Sequence, residues 1–156
     1  MNWEVASTIA EIIGAFAVVI SLIYLAMQIR AQNREVRIAA MHDISVGYRD
    51  SLANMAEEQI AFIYNKALHD YDSITDVESI RLIAVLGRVF RVWEEAFIQH
   101  QAGRLDERAW QSMLRQFKGY MSSLPFEKVW ELRRSYFDPE FTEFVDSLEK
   151  ASYRFQ

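Results

Sequence analysis

The residues that most often bind metals or transfer protons are few in this chain, and their spacing does not suit such chemistry. Its three histidines are His42, His69 and His100, and it contains no cysteine. Helical zinc sites typically use two histidines four residues apart, and no pair here has that spacing. The lack of cysteine also excludes thiolate ligands, disulfides and a cysteine nucleophile. The sequence therefore predicts no metal site.

Two adjacent carboxylates, Glu94 and Glu95, suggest a di-metal centre as an alternative. Helical bundles of that type place a histidine three residues after such a glutamate. His100 lies six residues after Glu94 and five after Glu95, so the spacing is wrong. Arg88 and Arg91 lie within helical reach of Glu95, and we expect ion pairs there. Phosphate-binding loops and nucleophile motifs are also absent from the sequence, which predicts no catalytic residue, no cofactor and no enzymatic activity.

The strongest signal is an uncharged apolar segment, residues 12–29. As a helix with ~1.5 Å rise per residue it is about 27 Å long, close to the ~30 Å hydrocarbon core of a bilayer. Extending it back to Val5 gives a tilted span over residues 5–29. Helices buried in soluble proteins are rarely apolar on all sides for so long, and signal peptides begin with basic residues, whereas Glu4 stands here. We predict one transmembrane helix within residues 1–29 and a separate domain over residues 30–156.

One side of the predicted span, which we call the small-residue face, carries small and weakly polar side chains. Its members are Ser7, Glu11, Gly14, Ala17, Ser21 and Gln28. Small residues let helix backbones approach closely, and hydroxyl and amide groups form hydrogen bonds across such contacts. Because the chain has one predicted span, the partner helix must belong to another chain, and we expect a homo-oligomer.

Glu11 has three interpretations. If the span begins at Val5, its carboxylate lies within the outer leaflet, where an ionisable group is costly and is often functional. It either reaches the lipid headgroups, forms a hydrogen bond to a neighbouring chain, or lines a pore. In the last case the oligomer is an ion channel in which Glu11 selects cations.

Charged residues on either side of the span predict its orientation. Glu4 and Glu11 precede the apolar segment, and Arg30, Arg34 and Arg37 follow it. Basic residues favour the cytoplasmic side, so the N-terminus is expected outside and the C-terminal domain in the cytoplasm. Anionic headgroups attract each such arginine by about 1 kcal/mol, which predicts a headgroup-binding site here and makes membrane lipids a partner.

Beyond the span the pattern stays helical, and no alternating run predicts a strand. One helix is expected from about residue 5 to about residue 57, with Gly47 as its weakest point. Thr75 and Glu78 form a capping box for the most apolar soluble helix, which ends at Gly103 and should lie at the bundle centre. Further helix starts are marked by Asp106, Pro125 and Asp138. The predicted fold is all-α: one N-terminal transmembrane helix that continues into a cytoplasmic bundle of about four to five helices.

Composition limits the remaining function classes. The net charge of −5 argues against nucleic acid as a partner, since phosphate binding needs clustered basic residues. Trp93, Trp110 and Trp130 follow helical spacing, which predicts that they pack in a core and do not stack on ligands.

Several longer segments are similar to those of known proteins. They are the run Glu-Ile-Ile-Gly-Ala-Phe-Ala-Val-Val-Ile-Ser-Leu-Ile-Tyr-Leu-Ala-Met-Gln-Ile-Arg at 11–30, Phe-Arg-Val-Trp-Glu-Glu at 90–95, the element from Gly103 to Trp110, and that from Phe137 to Phe141. Together they resemble a group of small uncharacterised bacterial inner-membrane proteins. The resemblance covers most of the chain and implies a bacterial inner (plasma) membrane, but no activity or functional residue.

Three functions follow as hypotheses. The first is a non-enzymatic single-pass protein that self-associates through its transmembrane helix, with the bundle as a scaffold or interaction module for a protein partner that the sequence does not identify. The second is a homo-oligomeric ion channel lined by the small-residue face. The third is a membrane-tethered enzyme or ligand sensor with a pocket in the aromatic bundle.

Overall fold

The computed structural model describes residues 3–149, and the side chains of all of these except residues 5 and 6. The described residues form six α-helices and no strand. The helices are α1 (Trp3–Ala56), α2 (Glu58–His69), α3 (Asp76–Gln101), α4 (Glu107–Met121), α5 (Leu124–Arg133) and α6 (Pro139–Asp146). Short 3₁₀ turns occur at Tyr71–Ser73 and Arg134–Tyr136. The prediction of an all-α fold that begins with a long apolar helix is confirmed.

The chain divides into two compact units, Met1–Ala39 (unit 1) and Ala40–Gln156 (unit 2), and the division falls within α1. The predicted helix over residues 5–57 is thus confirmed with small shifts at both ends. Side chains from residue 7 to residue 39 are all exposed within the chain, and Ala40 is the first buried one. The predicted boundary after residue 29 concerns the membrane surface and stays a prediction.

Helix α3 forms the centre of unit 2, as the sequence predicts, and contacts α2, α4, α5 and α6. Its Phe90 is fully buried and lies with ring centroids 5.8 Å from Trp93, 5.6 Å from Phe126 and 5.1 Å from Trp130. Trp110 is also buried. The prediction that Trp93, Trp110 and Trp130 pack in a core is confirmed, because large rings supply much of the apolar area that a small bundle can bury.

The helix ends of unit 2 follow their local chemistry. The Glu78 carboxylate accepts a hydrogen bond from the Thr75 backbone N–H at 2.7 Å, and the Thr75 hydroxyl accepts one from the Glu78 N–H at 3.3 Å, which completes the capping box. The pKa of Glu78 is lowered, first by the hydrogen bond from the Thr75 backbone and next by a hydrogen bond from the Lys66 side chain. Gly103 lies two residues beyond the end of α3 and has φ +66°, a conformation that glycine adopts without strain. The starts predicted from local side chains are likewise confirmed at Asp106, Pro125 and Asp138.

Gly47, predicted as the weakest point of α1, also has a packing role that the sequence did not indicate. Helix α1 passes through it without interruption. A Cβ atom at this position would lie 3.1 Å from a γ carbon of Val92 in α3. The missing side chain therefore lets α1 and α3 approach closely within unit 2, so Gly47 is a packing position and not a break in the helix.

Candidate functional site

The small-residue face lies on the part of α1 that belongs to unit 1. All six of its side chains are exposed within the chain, and since α1 is continuous, their spacing places them on one side of it. Among the described residues, α1 is the one helix that is long and apolar enough to cross a membrane by length and composition. The described part of unit 1 thus presents an apolar helix with one small, weakly polar side.

Two features give the small-residue face its local geometry. A Cβ atom at Gly14 would meet nothing within 4 Å, so the space beside the helix is open there. The Ser21 hydroxyl donates a hydrogen bond to the Ala17 carbonyl of its own helix at 2.8 Å. In this rotamer, the Ser21 hydroxyl can accept a hydrogen bond from a partner helix but cannot donate one to it, whereas the Gln28 amide both donates and accepts. The internal bond of Ser21 was missed by the sequence reasoning, although serine commonly makes it in helices.

Large apolar side chains occupy the opposite side of α1. Val19 is 52% and Ile23 57% exposed, and Phe16 is 65% exposed. The exposed arginines that follow lie on this same side, at helical spacing; they are Arg30, Arg34 and Arg37. The small-residue face and the arginine side are therefore separate, and a helix that packs on the first leaves the second accessible.

The carboxylates on α3 form a structural link. Glu94 is buried, and its two carboxylate oxygens accept hydrogen bonds from the Asp138 backbone N–H at 2.7 Å and from the Arg91 guanidinium at 2.6 Å. The expected pairing of Arg91 with Glu95 is wrong, and Glu95 instead accepts a hydrogen bond from Gln99 at 2.6 Å. The reason is the phase of α3, which turns Glu94 towards the start of α6 and Glu95 towards solvent.

The histidines lie in three different environments. His69 Nδ1 is 2.8 Å from the Asn65 carbonyl oxygen, and His100 stacks on Trp110 with ring centroids 4.5 Å apart. His42 is exposed on α1. Among residues 3–149, no three histidine, aspartate or glutamate side chains lie together in an arrangement that would hold a metal ion.

Unit 2 carries two larger clefts on its surface. One, of about 460 Å³, is lined mainly by α2, with Tyr64 and His69 among its residues. The other, of about 530 Å³, lies between α3 and the residues around the Arg134–Tyr136 turn, and it brings Arg88 and Arg133 together. The sequence did not indicate this second cleft, because Arg88 and Arg133 lie on different helices. Their proximity depends on how α5 packs on α3, which no local pattern encodes.

The comparisons with protein-family models, with curated proteins and with solved structures find no match to this chain.

Proposed function

We propose that this chain is a single-pass membrane protein that associates with copies of itself through the small-residue face of α1. Unit 2 then serves as a non-enzymatic cytoplasmic scaffold or interaction module. The observation that carries the proposal lies in unit 1. The 18-residue apolar window of α1 has none of its residues buried within the chain.

The cost of leaving this surface in water supports the placement in lipid. Full burial of a large aliphatic or aromatic side chain is worth roughly 1.5–3 kcal/mol, and more than half of Phe16, Val19 and Ile23 is exposed. Core helices of soluble proteins bury such residues within the chain. A bilayer removes the same surface from water, and the unbroken helix satisfies its own backbone hydrogen bonds there, as a membrane span must. The proposed span covers residues 5–29.

The small-residue face supports self-association. Lipid chains are as apolar as leucine, so helices in a bilayer associate through close packing and interhelical hydrogen bonds. Gly14 and Ala17 permit the close approach, and Gln28 supplies a donor and an acceptor across the contact. A second copy of the chain presents the same residues at the same depth, so symmetric pairing brings each Gln28 near its equivalent.

The arginines support the orientation and the headgroup contact. Arg30, Arg34 and Arg37 follow the span on the side away from the small-residue face, so they stay available to anionic headgroups when a second helix is bound. Basic residues at this end favour a cytoplasmic unit 2 and an external N-terminus. The proposed location is a bacterial inner membrane.

Fractionation of the full-length chain, followed by mass measurement, tests the proposal. We expect the protein in the membrane pellet after a high-salt wash, release by mild detergent alone, and a particle mass of at least two chains. Recovery of the intact chain in the water-soluble fraction would refute the span. A membrane-bound particle with the mass of one chain would refute the self-association and leave the span in place.

A further inference from the structure

The cleft beside α3 in unit 2, which we call the arginine groove, is lined by basic residues although the chain as a whole is acidic. It is lined by residues of α3 and by Arg133, Tyr136 and Phe137, and none of its lining residues is acidic. The whole chain carries a net charge of −5. A cleft with three arginines and no lining carboxylate is therefore a local positive site on a negative molecule.

One of the three arginines is held in place by the protein itself. Arg91 donates hydrogen bonds to the Glu94 carboxylate at 2.6 Å and to the Tyr136 carbonyl at 2.9 Å. Its guanidinium also lies 4.3 Å from the centroid of the Phe137 ring. Glu94 in turn accepts a hydrogen bond from the Asp138 N–H at 2.7 Å. These contacts fix the two walls of the groove relative to each other, so its shape exists before any ligand arrives.

The other two arginines have no such partners. Among the described residues, no carboxylate forms an ion pair with Arg88 or Arg133, and Arg133 instead lies 5.6 Å from the centroid of the Tyr136 ring. Guanidinium groups bind phosphate and carboxylate oxygens through paired hydrogen bonds. Arg88 and Arg133 thus present two cationic forks to whatever occupies the groove.

The groove also offers a place for a flat ring. Tyr136 is 64% exposed beside Arg133, and exposed aromatic rings stack on planar ligands. Gly87 leaves the wall open, because a Cβ atom there would meet nothing within 4 Å. The space beside these residues, about 530 Å³, opens widely to solvent, so a ligand can enter it without a change in the fold.

We propose that the arginine groove binds a small ligand in which a phosphate group is attached to a planar ring, the chemistry of a mononucleotide. Arg88 and Arg133 bind the phosphate, and Tyr136 stacks on the ring. Arg91 is a positioning residue that holds the walls. All of the residues that line this site belong to unit 2.

Calorimetric titration of the full-length chain in mild detergent with adenosine monophosphate tests the proposal. We expect saturable binding, with inorganic phosphate and adenosine each at least about tenfold weaker, because each lacks one half of the contacts. Arg88→Gln and Arg133→Gln should each weaken binding by about tenfold or more. Arg108→Gln, at an exposed position of α4, is the matched control and should leave the affinity unchanged.

Gly87 provides a second test that does not remove a charge. Gly87→Leu should fill the groove and abolish binding, whereas Gly87→Ala should preserve it; both should fold, since the helix gains a better helix former. The proposal is overturned if adenosine monophosphate does not bind saturably, or if phosphate alone binds as tightly. Equal weakening of binding by Arg108→Gln and Arg88→Gln would also overturn it. So would binding of a polyglutamate chain that depends on Arg88 and Arg133, if adenosine monophosphate itself does not bind.

Discussion

Units 1 and 2 use similar apolar residues in opposite ways. In unit 1, Phe16 and Ile20 are 65% and 64% exposed within the chain, whereas Phe90 and Phe126 in unit 2 are completely buried. Both units are helical, so secondary structure does not separate them. What separates them is where the apolar surface lies: unit 2 buries its own against itself, whereas the described residues of unit 1 leave theirs exposed within the chain.

The largest effect that tests this contrast is the removal of one ring from each unit. Phe90→Ala should lower the free energy of unfolding of unit 2 by about 3–5 kcal/mol, because it leaves a cavity among packed rings. Phe16→Ala should leave that free energy unchanged, since Phe16 contributes to no core within the chain. Guanidinium unfolding of the full-length protein in detergent, followed by tryptophan fluorescence, measures both. Equal losses of unfolding free energy from the two variants would contradict the proposed difference between the units.

The next largest effect concerns the two sides of α1. Ala17 and Ala26 are nine residues apart, which is two and a half helical turns at ~3.6 residues per turn, so they lie on opposite sides. Ala17→Leu should weaken self-association by about tenfold, or ~1.4 kcal/mol, because a larger side chain separates the helices. Ala26→Leu, on the side that the proposed arrangement turns towards lipid, should have no effect on self-association. Energy transfer between labelled chains in vesicles of increasing lipid content measures both constants, and a larger loss for Ala26→Leu would place the contact on the other side.

Three glycine-to-alanine substitutions in unit 2 should change the free energy of unfolding in different directions. Gly103→Ala should lower it by about 1–2 kcal/mol, because φ +66° is strained for a residue with a Cβ. Gly87→Ala should stabilise by about 0.5–1 kcal/mol, since its helical backbone suits alanine and the space is open. The effect of Gly47→Ala on the free energy of unfolding should lie between those of the other two, because the added methyl meets Val92 at 3.1 Å. Thermal unfolding gives the order, and a stabilising Gly103→Ala would contradict the cap geometry.

The smallest effect is electrostatic and lies at the start of α3. The pKa of Glu78 is lower in the folded protein than its usual value of 4.5, owing first to the Thr75 backbone hydrogen bond and then to Lys66. A lowered pKa contributes stability that is present above about 4.5 and is lost as the pH falls through the folded pKa. Glu78→Gln should therefore destabilise unit 2 slightly at neutral pH, and the difference from the unchanged protein should vanish in acid. A difference that grows as the pH falls would contradict this sign.

Local chemistry explains which features the sequence could predict. The capping box of Thr75 and the glycine after α3 were predictable because a few neighbouring residues determine them. The partner of Arg91 was not predictable from the sequence, since Glu94 and Glu95 are adjacent and only the packing of α3 decides which one turns inward. The arginine groove was not predictable either, because Arg88 and Arg133 come to line one cleft only in the folded unit. The close contact of Gly47 with Val92 was not predictable, because a glycine within a helix signals either a weak point or a close contact, and sequence does not distinguish them.

The most direct test of the self-associating span uses the absence of native cysteine. Single cysteines can be placed one at a time through residues 7–28 of the full-length protein, and disulfide-linked dimers can be counted in native membranes under mild oxidation. We expect dimers at Ser7, Gly14 and Ser21 and none at Val19 or Ile23. Dimers on the Val19 and Ile23 side, or equal yields at every position, would contradict the proposed contact between the helices.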